Sequence, residues 1–365
     1  MTEKEKDVLV EQLLIDFRNR GSNLKCYHSD CIRKANLNHT IQNSYILDVL
    51  SESGHVFMIL PSRDGIVFDK ISRNKASTFS GFCQNHDTEF FSKIDIRKGN
   101  DFNLNEENMI LLAYRSLLKE YFSKLMGISH FENMVKIWKT RDLEKLNKVS
   151  PFTKKFGKNF PFEEIDVVTL EATLEGLKMA LDDFKPFESI ILDAIKSGDY
   201  SKTQNFRLSF EKEIEWACSS ASSPSHYFNN KATVNNFNTD HINIIGVIDQ
   251  HKIFNNLDYS FKNKDFKFLI LNIIPLNNKT EIIFTSLKKD EDFSRPFIDF
   301  LKNSNEQQKQ KYLSMFIILN CENIVFKPSY INKFSKTRKN EILEVFQGST
   351  ISHYPYSNLK INFFI

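Results

Sequence analysis

Long apolar runs, paired cysteines, turn-forming residues and a surplus of one charge are all scarce in this chain. No stretch approaches the ~20 consecutive apolar residues that cross a bilayer. The opening MTEKEKDVLVEQLLIDF is a charged amphipathic segment, unlike a signal peptide. A soluble, cytoplasmic protein with no membrane partner is therefore expected. Five cysteines in 365 residues are too few, and odd in number, for a disulfide scaffold, which fits a reducing compartment. Eleven glycines and nine prolines exclude collagen-like and linker proteins. With 49 Lys/Arg against 46 Asp/Glu the net charge is +3, so the total alone does not announce a nucleic-acid binder.

Apolar and aromatic residues are plentiful instead. The hydrophobic fraction is 41% and Phe occurs 34 times, which excludes intrinsic disorder, since a disordered chain has little apolar surface to bury. The length suits two or three domains of ~100–200 residues each.

Apolar spacing predicts helices over 4–20, 41–52, 131–148 and 163–195, and a long helix opened by Asn105-Glu106-Glu107 with acids in its first turn. HVFMIL at 55–60 and GIVF at 65–68 read as strands around the turn Pro61-Ser62-Arg63-Asp64, followed by a third strand at 76–82. Beyond Gly198 the character shifts to strands: FRLSFEKEIEWAC, HINIIGVI, FKFLILNII and TEIIFTSL, the last two joined at Asn277-Asn278. Helices from about Glu306 to Leu319 and Thr337 to Phe346 close the chain. No GxGxxG, P-loop, GxSxG or HExxH motif occurs, which disfavours the enzyme classes that carry them.

Three of the five cysteines have histidine close by. Cys26-x4-Cys31 lies in a polar loop, and Cys83-x2-His86 at a strand-to-helix junction, with 51 residues between the pairs. Zinc takes four tetrahedral N/S ligands, commonly as two close pairs. Cys26, Cys31, Cys83 and His86 are the expected ligands of a structural zinc, with His28 able to replace either knuckle cysteine. A knuckle, a β-hairpin and a helix start form a treble-clef arrangement. The other two cysteines, Cys218 and Cys321, stand alone in apolar surroundings and read as buried small hydrophobes.

This order resembles HNH-type nucleases that carry a structural zinc. In that family a cysteine pair precedes a His-Ile-x-Pro or similar segment, and a second pair opens the last helix and is followed at once by histidine. Here KANLNHTIQNSY puts His39 at the position of the general base, and GFCQNHD puts Asp87 at the position of the catalytic-metal ligand. Gln42 stands where proline is common, His86 replaces a cysteine, and Asp87 replaces the terminal histidine. Asn74 and Asn85 both remain candidates for the middle asparagine. The resemblance spans roughly residues 24–95. It implies catalysis by His39 and Asp87 with Mg²⁺ or Mn²⁺, ions an aspartate can ligate.

Charge is unevenly distributed. From Lys136 to Lys158 there are eight Lys/Arg against two acids, interleaved with Trp138, Phe152 and Phe156. From Glu163 to Asp193 nine acids face two lysines. Either the two stretches pair across a helical hairpin, or the first is a phosphate-facing stripe in which Lys154, Lys155 and Lys158 contact nucleic acid.

The sequence thus predicts an α+β protein: a treble-clef, ββα-like zinc module over 1–104, a helical segment over 105–198, and an antiparallel sheet with helices over 199–365. The expected function is metal-dependent nucleic-acid cleavage, in a context such as bacterial antiviral defence. The alternative is a non-enzymatic zinc-stabilised recognition or sensor protein that binds a protein, a second copy of itself, or nucleic acid.

Overall fold

Local chemistry sets the order of elements in the computed structural model. It describes residues 24–62, 65–96, 102–162, 164–223, 226–228, 234–236, 267–348 and 361–364, with 2, 4–5, 8–9 and 12–13. Strand β1 (Leu37–His39) runs into a helical turn over Asn43–Leu47 and Asp48–Leu50, followed by the hairpin β2 (His55–Ser62) and β3 (Gly65–Ser72). Then come β4 (Thr78–Ser80), α1 (Gln84–Phe91) and α2 (Glu106–Thr140). The Asn105 side chain caps α2 by accepting from the Asn108 N–H, with Glu106 and Glu107 in the first turn. Helix α3 (Leu143–Val149), capped by Asp142, and a 3₁₀ stretch over Pro151–Asn159 lead to α4 (Glu164–Ser197).

The remainder alternates strands and helices: β5 (Thr203–Phe210), β6 (Trp216–Ser222), β7 (His226–Phe228), β8 (Val234–Asn236), β9 (Leu269–Leu276) and β10 (Lys279–Leu287). After them follow α5 (Glu291–Asn303), α6 (Glu306–Asn320), β11 (Ile324–Phe326), α7 (Pro328–Asn332) and α8 (Lys336–Gly348). The β9–β10 turn passes through Asn278 at φ 64°, a left-handed position asparagine tolerates. The strand expected at 241–248 and most of the helix expected at 4–20 lie outside the described residues.

Seven strands form one antiparallel sheet in the order β3-β2-β11-β6-β9-β10-β5. It draws the hairpin at 55–72 and strands β5, β6, β9, β10 and β11 into one hydrogen-bonded unit, while β7 and β8 pair with each other. The hairpin between the two ligand pairs therefore belongs to the large sheet, where β2 pairs with β11. Beside the ligand cluster it is β1 and β4 that pair.

Both sheet faces are covered, which explains why β9 and β10 read as unbroken apolar runs rather than alternating ones. On one face Ala217, Ile270, Ile274, Ile283 and Val325 pack with Leu117, Leu118 and Phe122 of α2. On the other, Trp216, Leu271, Ile282, Phe284 and Phe326 meet Phe297, Phe316 and Ile342 from α5, α6 and α8. The described tail at 361–364 closes that second core: the Phe363 carbonyl accepts from Trp216 Nε1 and the Tyr330 hydroxyl, each at 2.7 Å.

Helices α2 and α4 lie against each other along the first face. Gly127 permits the approach, because a Cβ there would sit 2.9 Å from Leu177 Cδ1. Their opposite charges pair in part across the contact, Lys139 with Glu171 and Lys178 with Glu132. No described helix is long and apolar enough to cross a membrane.

Candidate metal centre

Residues 24–35 fold back on themselves. Lys25 and Lys34 form an antiparallel bridge, the Cys26 N–H donates to the Arg33 carbonyl at 2.8 Å, and the Cys31 N–H to the His28 carbonyl at 3.2 Å. Asp30, at φ 65°, makes the reversal. This knuckle is stitched to the strand that leads into α1: the Tyr27 N–H reaches the Gly81 carbonyl and the Asn36 N–H the Phe82 carbonyl, both at 2.8 Å. The Asn38 side-chain oxygen accepts from the N–H groups of Gly81 (3.2 Å) and Phe82 (2.8 Å). Gly81 itself is packed tightly, since a Cβ would lie 2.6 Å from the Phe79 ring and 2.7 Å from the Phe122 ring.

Cys83 is the N-cap residue of α1, and His86 follows three residues later in its first turn. The four sequence-predicted ligand atoms come together, all within 4.8 Å of one another. Cys31 Sγ is 4.0 Å from Cys83 Sγ, and His86 Nδ1 lies 3.2 Å from Cys26 Sγ and 3.5 Å from Cys83 Sγ. Zinc bonds of ~2.3 Å to sulfur and ~2.0 Å to nitrogen set tetrahedral edges of about 3.8 Å (S···S) and about 3.5 Å (S···N). The spacing fits a tetrahedral ion such as zinc, and the Cys₃His donor set is one that zinc favours. Backbone N–H groups at the start of α1, His86 first, hold the Cys83 thiol below its ordinary pKa, while burial pushes Cys26 up. The Cys83 N–H also donates to Cys26 Sγ at 3.3 Å, a contact that favours thiolate.

His28 is not part of the cluster. Its Nδ1 faces the Ser29 carbonyl at 2.7 Å, and its ring stacks on His86 with centroids 3.9 Å apart, buttressing that ligand instead of replacing it.

His39 ends β1 opposite Thr78 of β4, and β4 leads directly to α1, which carries Asp87. The two side chains are thus mounted on a strand–strand–helix frame. His39 Nδ1 lies 3.1 Å from the Ala76 carbonyl. Burial, with further contributions from Arg115 and Arg73, keeps its pKa below the usual value. Burial raises Asp87, against the opposing influence of Arg115 and Asn38, and its Oδ1 is buried with no hydrogen-bond partner.

Arg115 therefore acts on both residues. No motif spacing points to it, although a lone arginine within the apolar run Leu111–Leu118 of α2 is itself a signal. The guanidinium is buried, sits 4.5 Å over the Phe91 ring and approaches Asp95 Oδ1 at 3.8 Å. It borders a cavity of about 10 Å³ shared with Thr40, Gln42, Ser219 and Asn272, room for about one water. Of the two asparagine candidates, Asn74 accepts from Asn43 Nδ2 at 3.1 Å, and Asn85 is exposed on α1.

Among the described residues, the basic segment divides into paired and unpaired charge. Lys155 binds Glu5 at 2.6 Å and lies over the rings of Phe152 and Phe156. Lys145 pairs with Asp142 and Lys148 with Glu144. Lys154 and Lys158 are exposed, and Lys158 borders a surface concavity of about 360 Å³ with Arg141, Phe160 and Phe162. Cys218 and Cys321 are both buried, but not isolated: burial first, and then the neighbouring Cys218 thiol, drive the Cys321 pKa upward.

Neither the family models, nor the curated proteins, nor the solved structures contain a match to this chain.

Proposed function

We propose that residues 24–95 form a zinc-stabilised, HNH-like nuclease module and that the protein hydrolyses nucleic-acid phosphodiesters. The observation that carries this reading is the strand–strand–helix frame, with His39 at the end of β1 and Asp87 in the first turn of α1. Zinc at Cys26, Cys31, Cys83 and His86 fixes the backbone on both sides of the frame and takes no part in the chemistry. With Nδ1 donating to the Ala76 carbonyl, the Nε2 lone pair of His39 accepts a proton from the attacking water. Its depressed pKa keeps the ring neutral near pH 7. The water oxygen bonds to phosphorus, the bond to the leaving oxygen breaks, and that oxygen takes up a proton. Asp87 supplies a carboxylate ligand for Mg²⁺ or Mn²⁺, whose contribution when bound is to polarise the scissile phosphate. Lys154 and Lys158 supply phosphate contacts at a distance from the cut, with Lys155 shared with Glu5.

Cleavage of labelled DNA and RNA, single- and double-stranded, is the direct assay. His39→Ala should abolish cleavage while zinc content and thermal midpoint stay unchanged. Cleavage that survives both His39→Ala and Asp87→Ala would refute the reading.

The second reading, a zinc-stabilised recognition protein without catalysis, is favoured by one observation: the Asp87 Oδ1 atom is buried. On that reading nucleic acid or a protein partner binds but is not cut.

A further inference from the structure

We propose that the outer face of the zinc knuckle, formed by Lys25, Ile32, Arg33 and Lys34 and continued by Leu37, is a docking surface for a single nucleic-acid strand. The proposal rests on the nuclease reading and deepens it by naming where the substrate lies.

The first observation is a like-charge pair that the fold does not need. In the bridge between Lys25 and Lys34, the flanking residues carry the hydrogen bonds, Cys26 N–H to the Arg33 carbonyl and Ala35 N–H to the Leu24 carbonyl. Lys25 and Lys34 therefore form a non-hydrogen-bonded pair, the class in which opposing side chains come closest. Two like charges directly opposite each other destabilise such a pair. A bound polyanion turns that cost into attraction. No acid among the described residues forms an ion pair with Lys25, Arg33 or Lys34, in contrast to Lys139, Lys145, Lys148 and Lys155 of the basic segment.

The second observation is apolar exposure in the same place. Ile32 is 89% exposed and Leu37 60%, the two most exposed large hydrophobic residues among those described. Lysines for phosphates, the Arg33 guanidinium plane for stacking on an unstacked base, and aliphatic side chains for apolar contact beside it match a single strand. A duplex hides its base faces.

The third is direction. Leu37 begins β1 and His39 ends it, and two strand residues advance the chain by about 7 Å. A strand laid across the knuckle is thereby led to the proposed general base. The metal cluster holds Lys25 and Lys34 beside its own ligands Cys26 and Cys31, so the surface is formed before the strand arrives.

The test uses zinc-loaded full-length protein and fluorescently labelled single-stranded DNA and RNA, without added Mg²⁺ or Mn²⁺. The double change Lys25→Gln and Lys34→Gln should weaken binding at least tenfold at low salt. It should also flatten the slope of log affinity against log salt by about 1.4, for two lost contacts at ~0.7 each. Ile32→Ser should weaken binding with the slope unchanged. Lys34→Glu replaces the like-charge pair with an opposite-charge one, so it should retain zinc, keep or raise the thermal midpoint, and still weaken binding. Unchanged binding in these zinc-loaded variants overturns the proposal. So does wild-type binding to a poly-glutamate of equal charge as tight as to the oligonucleotide. The two readings fail separately: knuckle-dependent binding without any cleavage refutes the nuclease and keeps the docking surface, whereas cleavage with knuckle-independent binding does the reverse.

Discussion

Asn323 donates from Nδ2 to the Ser77 hydroxyl at 3.0 Å, joining residues 246 positions apart in sequence. The same amide donates to the Ser219 carbonyl at 2.8 Å, and the Ser77 hydroxyl accepts from the Ile41 N–H at 3.1 Å. One buried side chain thus ties the segment between β3 and β4 to the centre of the large sheet.

Asn323→Leu should destabilise the protein by about 1–3 kcal/mol, because it leaves the Ser77 hydroxyl and the Ser219 carbonyl short of a donor in the interior. Denaturant unfolding checks this. A neutral result would mean the tie carries no net stability.

Elemental analysis of purified protein should find about one zinc per chain, and Cys83→Ala should abolish it. Acidification should release the ion, since the cysteine ligands bind as thiolates. A thermal midpoint unmoved by a strong chelator would count against a structural zinc.

Gly81→Ala should cost about 1–3 kcal/mol by overpacking. The added methyl would meet the Phe79 and Phe122 rings at 2.6 and 2.7 Å, and both rings are buried. Because Gly81 also holds the knuckle through the Tyr27 N–H, zinc affinity should fall together with stability. Retained affinity in a destabilised variant would separate the two roles.

Glu281 gives the fold an acid-sensitive tie. Burial pushes its carboxyl up, but Arg207, Ser209 and Lys279 outweigh burial and hold it down at about 2 from an ordinary 4.5. Arg207 grips it at 2.7 and 2.6 Å. A folded-state pKa below the unfolded one contributes stability that is present above about pH 4.5 and lost as pH falls through that value toward about 2. The linkage is worth about 2 kcal/mol once the partial exposure of Arg207 is discounted. The gap in thermal midpoint between wild type and Glu281→Gln should therefore narrow across that window. A gap that stays constant with pH would show that the pair contributes through packing alone.

What the sequence determined by itself was local. The ligand pairs were legible because Cys-x4-Cys and Cys-x2-His reach one ion through a tight loop and one helical turn, so neither needs distant information. Helix α4 was legible from its apolar period and the start of α2 from Asn105 with its acidic first turn. The helix expected over 131–148 is instead the end of α2 and the separate α3, divided at the left-handed Arg141. The hairpins were legible from Asn278 and the turn after Leu60. Tertiary structure alone decided the sheet order. Strand β11 is three residues long, yet it joins β2 to β6 across a wide sequence gap, and no periodicity encodes which edges pair. The same holds for Arg115. Its place in an apolar run marked it as unusual, but only packing of α2 against the strand–strand–helix frame brought its charge to bear on His39 and Asp87. Electrostatic partnership depends on distance in space, and the chain fixes that distance only when it folds.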